Sequence, residues 1–190
     1  PLSIMFEGWQ WLTSKEEVKS LEDVKGLKLR LMSSKLLVED YKAYGAAPTP
    51  MSYGEVYSGL QMGLIDAQVN PLFAIYSMKF YEVQDYTSEV HYLFSLQPLV
   101  VGEKFFKSLP AEDQAMFTRA GIEAQEYNLL FSVTKSEAAK QNMIDKGVEY
   151  MEVEDEDQWS KLAMEKVWPK FYDTVGGKAE VDNVLKALGR

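Results

Sequence analysis

The 190-residue sequence contains no cysteine, and histidine occurs once, as His91. These absences exclude disulfides, thiolate metal ligands, thiol catalysis and metal sites built from several histidines. No apolar run reaches the roughly 18 residues that a membrane-spanning helix needs, so we expect no stable membrane insertion. The first residues lack a basic segment followed by a long apolar stretch, so we expect no signal peptide in this chain.

Basic residues are also scarce, since 20 lysines and arginines face 29 aspartates and glutamates, for a formal net charge of −9. A protein that follows nucleic-acid phosphates needs a basic surface, so no nucleic acid is expected as a partner. Hydrophobic residues make up 46% of the chain and aromatic residues 13%. This composition is sufficient for a packed core in one large domain or two small ones.

Strand-like and helix-like segments alternate along the first half. Residues 27–32 alternate apolar and polar side chains with the period of a strand, whereas Leu37, Tyr41 and Tyr44 share one face of a helix. The prolines at 48 and 50 indicate an extended connector. By the same criteria we expect extended segments at 2–14, 64–68 and 88–101, and helices at 52–64 and 71–81. This alternation predicts an α/β architecture.

The second half is predicted to begin with a helix of about ten turns, from Pro110 to Lys146. Its expected buried stripe consists of Phe117, Ala120, Ala124, Tyr127, Phe131 and Ala138. A helix of this length either breaks or bridges two bodies. A strand at 148–153 and shorter helices complete the chain. We therefore divide it into an α/β ligand-binding lobe (1–110), a long bridging helix (111–146) and a carboxyl-terminal strand with helices that pack back on the lobes (147–190).

The sequence contains no nucleophile elbow, dinucleotide-binding glycine motif or phosphate-binding loop. His91 lies in an apolar, strand-like run, where a structural histidine is the better interpretation. The acidic run at 149–157 lacks the spacing of a calcium loop, and the adjacent carboxylates Glu39 and Asp40 fall on a predicted surface element. We therefore predict that the protein is not an enzyme and has neither a metal nor a cofactor.

Arg30 is a charged residue in an unusual position, near the carboxyl end of the strand at 27–32 and just before the serines that can cap the next helix. Ligands of open α/β sheets gather at the carboxyl ends of strands, and a guanidinium there can hold an anion through two hydrogen bonds. The alternative is a surface or ion-paired arginine.

Four motifs appear in order between residues 20 and 84: SLEDVKGLKLR at 20–30, GAAPTPMSYGEVY at 45–57, LQMGLIDAQVNPL at 60–72 and KFYEVQ at 79–84. Together they resemble the solute-binding proteins of tripartite ATP-independent periplasmic (TRAP) transporters, the DctP family. Weaker likeness extends from about 8 to 147.

The resemblance implies a type II periplasmic-binding-protein fold, in which two lobes close around a small organic acid and deliver it to a membrane permease. It also implies a periplasmic location. Because family members are about half as long again, the chain resembles their carboxyl-terminal portion, with the amino-terminal lobe missing or incomplete. The long helix would then bridge the lobes.

By the same resemblance, Arg30 would form a salt bridge with the ligand carboxylate, Asn70 would contact the ligand, and Tyr53 and Ser33 would line the pocket. Two of these have structural alternatives. Tyr53 also fits the apolar stripe of a helix, and Asn70 before Pro71 also fits a helix cap. These alternatives stay open at the level of sequence.

Three further residues complete the expected site. Some family members have a second arginine where spacing places Gln10, which predicts a ligand with one carboxylate, or with an aromatic or amide group, rather than several acidic groups. Trp9 lies beside that position and Phe94 lies near the cleft-facing strand. An alternative function with the same pocket is a ligand-sensing module that signals to a membrane receptor.

Overall fold

The computed structural model describes residues 1–189 as one mixed α/β sheet covered on both faces. The strands are β1 (Ser3–Ser14), β2 (Lys28–Leu31), β3 (Ala47–Pro50), β4 (Ala67–Asn70), β5 (Tyr86–Leu99) and β6 (Glu149–Glu152). The α-helices of the described residues are α1 (Leu21–Val24), α2 (Lys35–Ala43), α3 (Val56–Gln61), α4 (Leu72–Ser77), α5 (Glu103–Ser108), α6 (Ala111–Ile144), α7 (Glu156–Leu162) and α8 (Lys178–Ala187). The α/β prediction is confirmed.

The strand order is β3-β2-β4-β1-β5-β6. β2 runs parallel to β3 and β4, and β5 runs parallel to β6, while β1 is antiparallel to both of its neighbours. The long β1–β5 pair contains register shifts between Phe6 and Gly8 and between Trp9 and Trp11. These shifts bend the longest ladder of the sheet where Gly8, at a φ of 95°, accommodates the irregular backbone.

Two apolar clusters lie on opposite faces of the sheet, because neighbouring residues of a strand point to opposite sides. We call them the α2 cluster and the α4 cluster. Residues of the α2 cluster include Leu12, Leu29, Leu31, Tyr41, Tyr44, Val90 and Trp159. Residues of the α4 cluster include Trp11, Val56, Leu60, Leu72, Ile75, Phe80 and Met143.

The extended conformation expected at 48–50 is confirmed, but the segment is a strand of the sheet, β3, rather than a connector. It pairs with β2 alone, so it forms an edge of the sheet. Proline has no N–H to donate and is tolerated where one side of the strand has no partner. The helix expected at 52–64 is also shorter, because a 3-10 turn (Tyr53–Glu55) precedes α3. β4 consequently begins at Ala67 rather than at 64.

The helix expected at 71–81 is likewise shorter than predicted, since α4 ends at Ser77 and Lys79 adopts a left-handed conformation at a φ of 58°. A separate 3-10 turn (Phe80–Glu82) follows. At the carboxyl end of the chain, α7 leads into a π-helical turn (Ala163–Val167) and 3-10 turns before α8.

The long helix is confirmed as α6, of 34 residues, but its predicted buried stripe is wrong. Tyr127 is 70% exposed and Phe131 is 42% exposed. The buried residues of α6 are instead Gly121, Ser132, Ala139 and Met143.

The polar face of α6 lies against β1, because it completes the hydrogen bonding of that strand. Gln125 accepts from the Ile4 N–H at 2.9 Å, and Asn128 accepts from the Phe6 N–H at 2.6 Å. Ser132 donates to the Phe6 carbonyl at 2.6 Å. A strand segment without a neighbour on that side needs such partners. The division of the chain at residues 110 and 146 stays a prediction.

Among residues 1–189, none of the helices has the length and apolar composition together that crossing a bilayer requires. The same residues contain no grouping of three or more histidine, aspartate or glutamate side chains suited to a metal ion.

Candidate functional site

The carboxyl ends of three parallel strands meet at one edge of the sheet. Arg30 lies on β2, Met51 and Tyr53 follow β3, and Asn70 ends β4. Arg30 is opposite Thr49 on β3 and Gln68 on β4. The structure therefore brings Arg30, Tyr53 and Asn70, all predicted from the sequence, to the edge where ligands of open α/β sheets bind.

The Arg30 side chain is 3% exposed, and its guanidinium bonds to main chain rather than to a carboxylate. Nε donates to the Met51 carbonyl at 3.0 Å, and Nη2 donates to the same oxygen at 2.8 Å. The Tyr53 ring centroid lies 5.8 Å from Cζ. Within residues 1–189, Arg30 forms no ion pair. The positive charge is therefore buried without a negative partner, which is the first observation that points to an anionic ligand.

Burial lowers the pKa of the Arg30 guanidinium from its ordinary value, and the neighbouring Tyr53 raises it in part. A guanidinium remains protonated at neutral pH in proteins. Because Nε and Nη2 share the Met51 carbonyl, the remaining N–H groups at the Nη1–Nη2 end are the ones that can pair with both oxygens of a carboxylate.

A chain of buried amides and one hydroxyl runs across the sheet beside Arg30. Asn70 Nδ2 donates to Gln68 Oε1, and Gln68 Nε2 donates to Thr13 Oγ1 at 2.9 Å. Thr13 Oγ1 in turn donates to Gln84 Oε1 at 3.3 Å. All four side chains are buried. This series of hydrogen bonds fixes the orientation of the Asn70 amide, because the Gln68 amide that accepts from it is itself held by Thr13.

Gln68, Thr13 and Gln84 were not identified from the sequence as parts of this site. The available signal was Gln68, which is a polar residue inside a predicted buried strand. Their connection depends on the pairing of β4 with β1, which places Thr13 opposite Gln68. The order of strands in a sheet is not visible in the spacing of residues along the chain.

The two structural alternatives for Tyr53 and Asn70 do not hold. Tyr53 lies in a 3-10 turn with a side chain 39% exposed, and its ring meets Phe80 edge-on at 6.1 Å. Asn70 does not cap α4, whose cap residue is Pro71 with no side-chain hydrogen bond. Ser33 is exposed and precedes Ser34, the cap of α2. Roles of these residues in ligand binding stay predictions.

Trp9 and Phe94 form a second group. They face each other across the β1–β5 ladder with ring centroids 5.2 Å apart, and they are 40% and 38% exposed. Both line two cavities of about 460 and 440 Å³, and Arg30 lines neither of them. Gln10, between the irregular segments of β1, is only 2% exposed.

Asp40 corrects another sequence expectation, since it is 6% exposed rather than on the surface. Its neighbour Glu39 is partly exposed and pairs with Lys42 and Lys170. The signal for burial was present, because Asp40 shares a helix face with Leu37 and Tyr44, which lie three residues before it and four after it. His91 contacts Glu89 at 3.0 Å and Glu156 at 3.2 Å, which is consistent with a structural role.

Comparison with known proteins identifies relatives along nearly the whole chain. Residues 1–174 match the DctP family, described as bacterial extracellular solute-binding protein, family 7. The chain is 38% identical over 130 residues, 68% of its length, to the ectoine/5-hydroxyectoine-binding periplasmic protein UehA of Ruegeria pomeroyi. It is 32% identical over 182 residues, 95% of its length, to the 2,3-diketo-L-gulonate-binding periplasmic protein YiaO of Escherichia coli.

The fold is also found in solved structures. A TRAP periplasmic solute-binding protein from Chromohalobacter salexigens with bound D-glucuronate superposes with a TM-score of 0.89 at 28% identity. That match covers 98% of this chain and 61% of the solved one. The chain spans 38% of the length of UehA and 55% of YiaO. These proteins have the type II periplasmic-binding fold, and they are solute-binding proteins rather than enzymes.

The four sequence motifs, the arginine at the carboxyl edge of the parallel strands and the match over residues 1–174 agree with one another. The chain belongs to the DctP family of TRAP-transporter solute-binding proteins.

Proposed function

We propose that this chain forms part of a periplasmic solute-binding protein that binds a small organic acid through Arg30 and delivers it to a TRAP membrane permease. The observation that carries the proposal is the buried guanidinium of Arg30, which has no carboxylate partner within residues 1–189. A buried charge without a partner costs free energy. A ligand carboxylate would compensate that cost. A neutral ligand would not, so the site should prefer anions.

Asn70 and Tyr53 support this assignment from the flanks of Arg30. The Asn70 amide is held in place by its hydrogen bond to Gln68, so it can present its carbonyl oxygen or its second N–H to a ligand hydroxyl or carboxylate. The half-exposed Tyr53 ring lies over the guanidinium and offers an apolar wall. Such a site combines one charged anchor with a polar and an aromatic neighbour, as ligand pockets commonly do.

The other residues predicted from the sequence would line the site around Arg30. Ser33 lies exposed just beyond β2, and its proposed role is to contact the ligand through its hydroxyl. Gln10 is neutral, so the site as proposed has a single cationic anchor, and a ligand with one carboxylate fits it best. Trp9 and Phe94 would contribute aromatic surface from the β1–β5 ladder.

The test is a calorimetric and thermal-shift screen of the 190-residue chain with D-glucuronate, succinate and ectoine, which the named relatives or neighbouring structures bind. A ligand that binds the native state raises the melting temperature by mass action. Arg30→Ala is the test variant. Arg119→Ala removes the same charge from an exposed position of α6 and is the matched control.

We expect at least one acid to bind, and we expect Arg30→Ala to weaken it by about 2–4 kcal/mol, the range for a buried, charge-assisted pair. Arg119→Ala should leave the affinity unchanged. The proposal is wrong if none of the acids binds the folded chain, or if the two arginine variants bind equally well.

A further inference from the structure

A second cavity lies on the α2 side of the sheet, away from the amide chain that flanks Arg30. Its volume is about 440 Å³, within the range of small-molecule sites. α2, the irregular part of the β1–β5 ladder and the π-helical turn after α7 enclose it. Its polar and aromatic lining residues are Trp9, Asp40, Tyr44, His91, Tyr92, Phe94, Ser160 and Trp168.

Asp40 places a carboxylate in the wall of this cavity without a partner. The side chain is 6% exposed, and within residues 1–189 its Oδ1 atom accepts no hydrogen bond. Lys42 on the same helix and Lys170 both pair with Glu39 instead. Burial raises the pKa of Asp40 to about 6, and burial is its only cause, so no cation in this part of the chain offsets the cost.

Aromatic rings supply the rest of the lining. Burial is the main reason that the pKa of Tyr44 and of Tyr92 is raised, and the nearby charge of Asp40 raises both further. Trp9, Phe94 and Trp168 add three further rings. The face of an aromatic ring carries negative potential and attracts cations, most strongly when they are organic and weakly hydrated. A carboxylate and several rings around one cavity therefore form a site of negative potential.

We propose that this cavity binds a small organic cation, an amine or quaternary ammonium compound, whose charge pairs with Asp40 while its alkyl groups contact the rings. The cavity shares Trp9 and Phe94 with the proposed organic-acid site, but its charged group is Asp40 rather than Arg30, so it takes a ligand of the opposite charge. The competing explanation is an ordered water that satisfies Asp40, in which case an organic cation has no preference for this cavity.

The probes are choline and 3,3-dimethylbutan-1-ol, a neutral molecule of the same shape. Trp9 and Trp168 line the cavity, so saturable binding should change tryptophan fluorescence. The measurement is made above pH 7, where Asp40 is ionised. We expect choline to bind more tightly than the alcohol by about tenfold or more, the scale of a charge-assisted contact in a shielded site.

Asp40→Asn should remove that preference, because the amide keeps the shape and loses the charge. Glu39→Gln is the matched control, since it removes a carboxylate from the next position, which points toward Lys42 and Lys170. It should bind choline as the wild type does, and so should Arg30→Ala, which separates this proposal from the organic-acid site. Trp168→Leu should weaken choline severalfold and provides a second test if Asp40→Asn fails to fold.

Equal binding of choline and the alcohol would overturn the proposal. So would unchanged choline affinity in Asp40→Asn, or the absence of saturable binding to the folded wild type.

Discussion

Arg30 and Asp40 are both buried charged residues without a partner of opposite charge among residues 1–189, yet their surroundings differ. Beside Arg30, the buried polar groups have partners: the guanidinium donates to the Met51 carbonyl, and a separate series of hydrogen bonds runs from Asn70 to Gln84. Around Asp40, the Oδ1 atom is enclosed without a hydrogen-bond partner within residues 1–189.

This difference shows how a guanidinium and a carboxylate respond differently to burial. A guanidinium has no accessible neutral form, so Arg30 must be satisfied by its surroundings or by a ligand. A carboxylate can take up a proton, so Asp40 can lower its own cost at mildly acidic pH. The surroundings of Arg30 therefore keep a fixed positive charge, as the proposed anion site requires, and the surroundings of Asp40 carry a free-energy cost that depends on pH.

The largest expected effect comes from removing a side chain of the buried hydrogen-bonded series beside Arg30. Gln68→Ala removes a fully buried side chain and leaves Asn70 and Thr13 without their partner, so we expect a loss of about 3 kcal/mol in unfolding free energy. Gln61→Ala, at an exposed position of α3, is the control and should change stability little. Chemical denaturation measures both. Equal effects of the two variants would show that the amide chain is not a stabilising network.

The next effect concerns Asp40, and here the substitution is expected to raise the unfolding free energy rather than lower it. The pKa of Asp40 is raised from 3.8 to about 6, so between these values the native state binds more protons than the unfolded state. The unfolding free energy should therefore fall as pH rises through this window. Asp40→Asn lacks this dependence, so its stability relative to wild type should increase by about 2 kcal/mol between pH 4 and pH 7.5.

Chemical denaturation of the wild type and Asp40→Asn at pH 4 and pH 7.5 checks this result. Any effect of the asparagine on stability that does not depend on pH cancels when the two pH values are compared. Glu39→Gln should show the reverse trend, because Lys170 and Lys42 lower the pKa of Glu39. A relative stability of Asp40→Asn that does not change with pH would contradict the account of Asp40.

A smaller effect is expected when Arg30 keeps its charge but loses its geometry. Arg30→Lys retains a cation but cannot donate to the Met51 carbonyl and to both oxygens of a carboxylate at once. Affinity for the bound acid should fall by about 1–2 kcal/mol in calorimetry, less than in Arg30→Ala. If lysine restored full affinity, the anion would be held by charge alone.

The smallest effect is expected at Tyr53. Tyr53→Leu removes the ring over Arg30 and should weaken acid binding by about 0.5–1 kcal/mol. Tyr53→Phe keeps the ring and loses only a 3.5 Å contact to the Ala74 carbonyl, so its affinity should match the wild type. Equal losses in the two variants would assign the effect to the hydroxyl instead.

The sequence predicted the parts of the site that depend on local pattern. Period-two alternation placed Arg30 near the end of a strand, and the motifs placed Asn70 and Tyr53 with it. It could not predict that Met51 would accept the hydrogen bonds of Arg30, because that contact depends on the pairing of β2 with β3. It also could not connect Gln68 with Thr13, which are 55 positions apart in the chain.

The errors have physical reasons as well. On α6, apolar residues suggested a buried stripe, but the free hydrogen-bonding groups of β1 selected the polar face with Gln125, Asn128 and Ser132. Asp40 was assigned to the surface from its charge, although its spacing from Leu37 and Tyr44 indicates the buried face of α2. In both cases the position on the helix was a better guide than residue type alone.

The most direct test of the organic-acid site is a cycle that changes Arg30 and the ligand carboxylate together. Binding of D-glucuronate and of its neutral amide is measured by calorimetry to the wild type, Arg30→Ala and Arg119→Ala. If Arg30 pairs with the carboxylate, the wild type should prefer the acid, and Arg30→Ala should lose about 2–4 kcal/mol of that preference while Arg119→Ala retains it. A preference for the acid that survives in Arg30→Ala would contradict the central claim.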